Sequence, residues 1–318
     1  LNKEFAMSES TRVVVVGAGA IGSFYGAILK RAGCHVSVVL RSEYEAVKAK
    51  GFQIDSPLGD LSYRPDAVYR DGDTPEGEAD YVICCVKVLP SVDRAALIKP
   101  WVGENTRIVL IENGIDIERE VADVLPDNHV ISCLAFIAVS RVAPGKIEHK
   151  AFGALTMGAW PEGITDDCRE IAARFEAGGI DVKLSEAVVG ERWRKSLWNT
   201  PFNPLSVLAG GADTVTLLDT PGGEDLARAM MAEVCAVAAA DGYPMPESAI
   251  DKNIAGTRKM PAYRNSMALD YLNGRPMEIE AILGNVVDIA HHLNVEVPRL
   301  ETMRVAFSMR DVLAEKQA

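Results

Sequence analysis

Arg12-Val13-Val14-Val15-Val16 runs without a break into Gly17-Ala18-Gly19-Ala20-Ile21-Gly22, and the reading of this stretch decides the fold. A β-branched run with no polar alternation suits a strand covered on both faces, as in a parallel sheet. The glycines follow the spacing G-x-G-x-x-G where a strand hands over to a helix. Gly17 permits the tight turn, Gly19 lets a pyrophosphate approach the backbone, and Gly22 lets the helix lie close on the strand. Ala20 and Ile21 stand between the last two glycines at a helix N-terminus that faces the anion. The helix runs to Ala32, Gly33 is placed to stop it, and a second strand covers Val36 to Leu40. Strand, glycine turn, helix and strand make a βαβ unit, so the chain is expected to open with an α/β, Rossmann-type dinucleotide-binding domain on a mostly parallel sheet.

The second strand ends in Leu40-Arg41-Ser42, where an NAD site usually offers a carboxylate to the ribose 2′-hydroxyl. An arginine suits a 2′-phosphate through its charge and forked donors, so the expected cofactor is NADP, as NADPH. Glu43 close by is the counter-argument. Further strands are predicted at Tyr81 to Val86 and Arg107 to Ile111, with a short helix at Val92 to Ile98. Val130 to Trp160, broken by Pro144-Gly145 and Phe152-Gly153, reads as hairpins added to the sheet edge. After Leu184 the strand signals fade. Helical spacing marks Glu191 to Asn199, Glu224 to Ala240, Ser266 to Leu272 and Ile279 to Leu293, with Gly242 and Gly274 as stops. The expected division is an NADP-binding domain over 7–185 and an all-α substrate domain over 186–318. Met7 reads as a native start, with Leu1 to Ala6 as an appended stretch.

Length and charge narrow the function. A chain of 318 residues predicts two domains. The balance of 33 Lys+Arg against 45 Asp+Glu gives a net charge of −12 and argues against a nucleic-acid partner. Phosphate groups must then be held by local features such as helix N-termini and single arginines. The six cysteines form no C-x-x-C pair and read as reduced and buried, in a cytoplasmic protein without a membrane span. No metal site is expected.

Ligands of open parallel sheets collect at the carboxyl ends of strands, and two such ends carry polar groups: Val86-Lys87 and Ile111-Glu112-Asn113-Gly114. In the second half, Lys195, Asn199 and Asn203 recur every four residues and would share one face of a helix, provided Pro201 and Pro204 do not end it. A solvated polar stripe, which the flanking Arg192 and Arg194 partly support, is the competing reading. Ser266 and Glu278 are further candidates, although Pro276 and Glu278 also suit the first turn of a helix for structural reasons alone. His291 and His292 lack an obvious acidic partner. Tyr44 and Lys48 have the Tyr-x-x-x-Lys spacing of short-chain dehydrogenases but lie too early in the chain.

Taken in order, the glycine turn with Arg41, Val86-Lys87, Asn113-Gly114, Pro144-Gly145 with His149, Lys195-x-x-x-Asn199-x-x-x-Asn203-Pro204, and Ser266 with Glu278 resemble the ketopantoate reductase family. The resemblance runs from Arg12 nearly to the C-terminus. It implies NADPH-dependent reduction of a 2-oxo acid, 2-dehydropantoate to pantoate on the way to pantothenate and coenzyme A, or a paralogue's related substrate. It further implies Lys195 as general acid and Glu278 as the carboxylate that holds the substrate hydroxyl. Asn199, Asn203 and Ser266 would bind substrate, while Lys87 and Asn113 would sit near the cofactor and the reacting carbon. The expected partner is thus a small 2-oxo acid, with a homodimer left open. Departures from the family pattern are Glu112, which puts a negative charge beside Asn113, the stretch Ser132-Cys133-Leu134-Ala135, and Trp198 and Pro201. They leave the substrate side chain open. The alternatives are a β-hydroxyacid dehydrogenase, which Asn113-Gly114 and Glu278 fit less well, and a non-catalytic NADP-sensing protein, against which the retention of Lys195 and Glu278 speaks.

Overall fold

The structure is a computed structural model that describes residues 10–317 apart from Pro75, with side chains to 310; the reading of Met7 as a start lies outside these residues. Two compact units emerge, one of residues 1–86, 93–112 and 118–188, the other of 87–92, 113–117 and 189–318. Two short pieces of the N-terminal half thus belong to the second unit.

The first unit is built in the order β1 (Arg12–Val16), α1 (Ala20–Arg31), β2 (His35–Leu40), α2 (Tyr44–Lys50), β3 (Gln53–Asp55), β4 (Ala67–Arg70) and β5 (Tyr81–Cys84). It continues with α3 (Arg94–Ile98), β6 (Arg107–Ile111), α4 (Arg119–Val124), β7 (Val130–Ala143), β8 (Lys146–Ala159), α5 (Asp166–Ala177) and β9 (Val182–Leu184). The sheet order is β3-β8-β7-β6-β5-β1-β2-β4, with β9 also on β8. Every pairing between these strands is parallel except β7 with β8. From β1 the chain winds outward through β2 and β4, then returns to β5, β6 and β7 on the other side. The carboxyl ends of β1 and β5 are therefore the topological switch point, where ligands of this architecture bind.

Valines 13 to 16 are all buried, as the unbroken β-branched run predicts. Phe24, Tyr25, Ile28 and Leu29 of α1 pack with Ile171 and Phe175 of α5 in one core with the strand residues. The cap of α1 is as expected: Gly33 has φ +85°, and Cys34 N–H closes on Leu29 O at 3.1 Å. The short helix α3 starts later than Val92 because the Asp93 carboxylate accepts from Ala96 N–H and caps it there.

The Val130 to Trp160 stretch differs from expectation. It forms one long hairpin, and β8 is no edge, since β3 and β9 both pair on its outer side. Register shifts after Phe136, Ala138 and Arg141 let the two 14-residue strands bend across the sheet. His149, 3% exposed, ties this hairpin to the body through Ser56 Oγ at 2.8 Å and packs on Phe24. It is a structural histidine.

The second unit contains α6 (Val188–Leu208), α7 (Thr214–Asp219), α8 (Gly223–Ala240), α9 (Ala249–Lys259), α10 (Ser266–Leu272), a π-turn at Glu280–Gly284, α11 (Asn285–His292) and α12 (Pro298–Gln317). Met230, Met231 and Val234 of α8 and Val286 and Val287 of α11 fill its core with Trp193, Leu197 and Phe202 of α6. Among the described residues, no helix is long and apolar enough to cross a membrane.

Candidate active site

At the end of β1, Gly17 takes φ +80°, and a Cβ there would lie 2.6 Å from Val86 Cγ2 and 3.0 Å from Val86 N. A Cβ on Gly22 would lie 2.8 Å from Gly17 O and 3.0 Å from Val15 Cγ1, whereas one on Gly19 would meet nothing within 4 Å. The outer glycines are thus required by packing, and the middle one leaves open backbone at the mouth of α1. The first N–H groups of that helix, on Ala20, Ile21 and Gly22, have no acceptor within the helix. Open space, free donors and the positive helix end fit a pyrophosphate.

Arg41 follows β2 and is exposed. Glu43 does not compete with it. Its carboxylate is 5% exposed, pairs with Arg141 and accepts from Gly145 N–H at 2.9 Å, so it anchors the hairpin instead. Arg41 is thereby left as the charged side chain at the end of β2, which fits a 2′-phosphate. Tyr44 and Lys48 do touch, at 2.7 Å, but on exposed α2 where Arg70 stacks over the Tyr44 ring. The charge of Glu112 is also turned aside: it pairs at 2.6 Å with Arg94, both side chains 1% exposed, and Arg94 reaches Glu120 as well. Ser132, buried in β7, donates to Glu118 at 2.6 Å, and Cys133 and Leu134 after it are core residues.

In the second unit, α6 continues through Pro201 and Pro204, and Lys195, Asn199 and Asn203 do share a face. Arg192 is no member of a solvated stripe. It is 1% exposed, and its guanidinium donates to Gly114 O at 3.2 Å. Arg194 is the solvated one, paired with Glu191. Lys195 Nζ donates to Asn113 Oδ1 at 2.7 Å. The 113–117 turn that presents Asn113 is clamped from a second direction: Ile115 N–H donates to Ala281 O at 3.1 Å and Asn285 Nδ2 to Ile115 O at 2.7 Å. Thr200 Oγ1 takes the neighbouring carbonyl, Ile282 O, at 2.8 Å. The wide π-turn therefore has two carbonyls bound by donors from outside it.

Glu278 accepts from Val88 N–H at 3.0 Å, and Lys87 Nζ pairs with Asp270 at 2.5 Å and donates to Pro276 O at 2.9 Å. Burial and the neighbouring Arg192 charge, partly offset by Glu278, pull the Lys195 pKa down to about 8. Burial raises that of Glu278, with Asp270 adding to the rise, while the Val88 N–H, Lys87 and Lys195 oppose it. Asn203 is 1% exposed, and its Oδ1 has no hydrogen-bond partner among the described residues. A buried acceptor left open in this way costs stability and awaits a donor. Asn199 is half-buried, and Ser266 is exposed at the first position of α10.

The structure thus joins Lys195 to Asn113 in one contact and brings Lys87 with Asp270, and Val88 with Glu278, into another group, with Lys195 and Glu278 acting on each other through charge and Asn199 and Asn203 following Lys195 along α6. Asp270 and the Val88 N–H carried no role on sequence grounds, and Arg192, whose position beside the polar face partly supported a solvated stripe, is buried instead. Only the spacing behind Ser266 hinted at Asp270. His291 does have an acidic partner, Glu301 at 2.6 Å, but both side chains are exposed on the surface.

Comparison with known proteins gives one family. Residues 13–162 match the family described as ketopantoate reductase PanE/ApbA, and residues 187–310 match its C-terminal domain. A 2-dehydropantoate 2-reductase of Nostoc sp. is 33% identical over 297 residues, 92% of this chain and 92% of that protein. The crystal structure of 2-dehydropantoate 2-reductase from Methylococcus capsulatus superposes with a TM-score of 0.89 at 49% identity, covering 94% of this chain and 96% of the other. That from Geobacter metallireducens gives 0.87 at 31% identity, covering 94% and 99%.

Proposed function

The chain belongs to the ketopantoate reductase family of oxidoreductases, and from that premise we propose that it reduces a 2-oxo acid, foremost 2-dehydropantoate, to the 2-hydroxy acid with NADPH. The observation that carries this reading is the Lys195 ammonium, held on Asn113 and tuned to about 8.

NADPH, when bound, supplies the hydride, and the residues of the first unit that would hold it are Gly17, Gly19, Ala20, Ile21, Gly22 and Arg41. The chain's own groups do the rest. As the carbonyl carbon is reduced, negative charge grows on its oxygen and must be neutralised where it forms. Lys195 carries a proton at neutral pH, and with its pKa lowered toward ambient pH it gives that proton up more readily than an ordinary lysine. Asn113 accepts one of its three N–H donors, which fixes the direction of the others. Glu278, ionised, cannot donate; it takes the substrate hydroxyl and steadies Lys195. The open Oδ1 of Asn203 offers a buried acceptor for a substrate O–H, and Asn199 and Ser266 are the further substrate-binding residues that the family resemblance implies.

The test is a panel of 2-oxo acids, ketopantoate included, and of 3-oxo acids, followed by oxidation of NADPH and of NADH. Turnover of a 2-oxo acid with NADPH preferred is the expected result. Turnover of 3-oxo acids alone would assign the β-hydroxyacid dehydrogenase reaction instead.

A further inference from the structure

Asp270 lies on α10 one turn after Ser266, with its side chain 12% exposed and its Oδ2 2.5 Å from Lys87 Nζ. Lys87 is 37% exposed and could be solvated by water, so it has no need of a counter-ion for its own sake. The ion pair has another consequence. Together with the bond from Lys87 to Pro276 O, it fixes residue 87 against the 270–278 segment. The next peptide then aims its N–H, that of Val88, at Glu278 Oε1. A nearly buried carboxylate beside a second carboxylate tends to take up a proton unless donors are held against it. The groups facing Glu278 are Lys87 and the Val88 N–H from the 87–92 segment, Asp270 from α10 and Lys195 from α6.

We propose that Asp270 is a positioning residue for the reaction: by holding Lys87 it keeps the Val88 N–H on Glu278, and so keeps Glu278 oriented toward substrate and Lys195. The inference rests on the proposed reductase reading for its purpose, but its geometry can be tested without turnover.

Two substitutions separate positioning from simple charge. Asp270→Asn removes the charge but keeps an acceptor oxygen for Lys87. Asp270→Ala removes both. If Asp270 acted only as a negative charge, each substitution would lower the ionisation midpoint of Glu278, since a like charge is gone. If it positions, Asp270→Ala frees Lys87 and loosens the Val88 N–H, and the midpoint rises by about one pH unit while that of Asp270→Asn falls. The midpoint is read by carbon NMR of the full chain labelled at glutamate carboxyls, with Glu278→Gln to assign the signal. In the kinetic assay, Asp270→Ala should raise the 2-oxo acid KM about tenfold with a smaller change in kcat, as expected when a charge-assisted contact is lost. Should Asp270→Ala not fold, Asp270→Ser, too short to reach Lys87, takes its place. A lowered or unchanged midpoint in the variant that releases Lys87 overturns the proposal. Absence of 2-oxo acid turnover by the unmodified protein would overturn the functional reading instead, and the titration would still decide the role of Asp270.

Discussion

Two arginines illustrate what a single residue contributes. Arg41 follows β2 with Glu43 drawn away to Arg141, so its charge is available to a 2′-phosphate. Arg41→Ala should raise the KM for NADPH about ten- to a hundredfold, the worth of one charge-assisted contact, and leave that for NADH nearly unchanged. Comparable losses with both cofactors would show that Arg41 supports the fold rather than the phosphate. Arg192 acts on Lys195 through its charge. Its charge disfavours the Lys195 ammonium, so Arg192→Met should move the Lys195 ionisation above about 8 and shift the alkaline limb of kcat/KM to higher pH. A limb that stays in place would mean that burial alone tunes the lysine. Arg41 was legible because its place after the second strand is set by the motif. Arg192 was not, because a buried arginine and a solvated one look alike until the carbonyl of Gly114 is seen to accept from it.

At the scale of elements, the proposed chemistry rests on the 113–117 turn, gripped by α6 and the π-turn. Gly114 takes φ +114°, and a Cβ there would meet Ala281 O at 2.6 Å. Gly114→Ala should lower the unfolding free energy by about 2–4 kcal/mol from backbone strain and displacement, and reduce kcat by moving Asn113 off Lys195. Denaturant melting beside the kinetic assay checks both, and unchanged values of each would remove the turn from the account. The helical face of Lys195, Asn199 and Asn203 was readable from spacing, but the persistence of α6 past Pro201 and Pro204 was not. Each proline removes one helix hydrogen bond, and tertiary packing around Phe202, at 0% exposure, evidently offsets that loss. The π-turn left no sequence signal, since it is set by outside donors such as Thr200 and Ile115.

For the whole molecule, the glycine turn and its flanking strands announced the parallel sheet, because a buried β-branched run followed by G-x-G-x-x-G admits few other readings. Less was legible where partners lie far off in sequence. The three residues of β3 become a strand only by pairing with β8, and α9 has a mixed surface with Ile254 and Thr257 as its buried residues. The ordered landmarks carried the family, and the contacts of Lys195 carry the chemistry proposed for it. The central claim, that Lys195 gives the proton in reduction, is tested most directly by the pH dependence of kcat/KM for NADPH-dependent reduction in the unmodified protein and in Lys195→Ala. A group that must be protonated loses function as pH rises through its pKa, so activity should fall through about pH 8 in the unmodified protein. The variant should lose that limb and about 10²–10⁴ in kcat, or about 3–5 kcal/mol, with little change in NADPH affinity. A variant that keeps near-normal turnover, or the same limb at the same pH, would contradict the account.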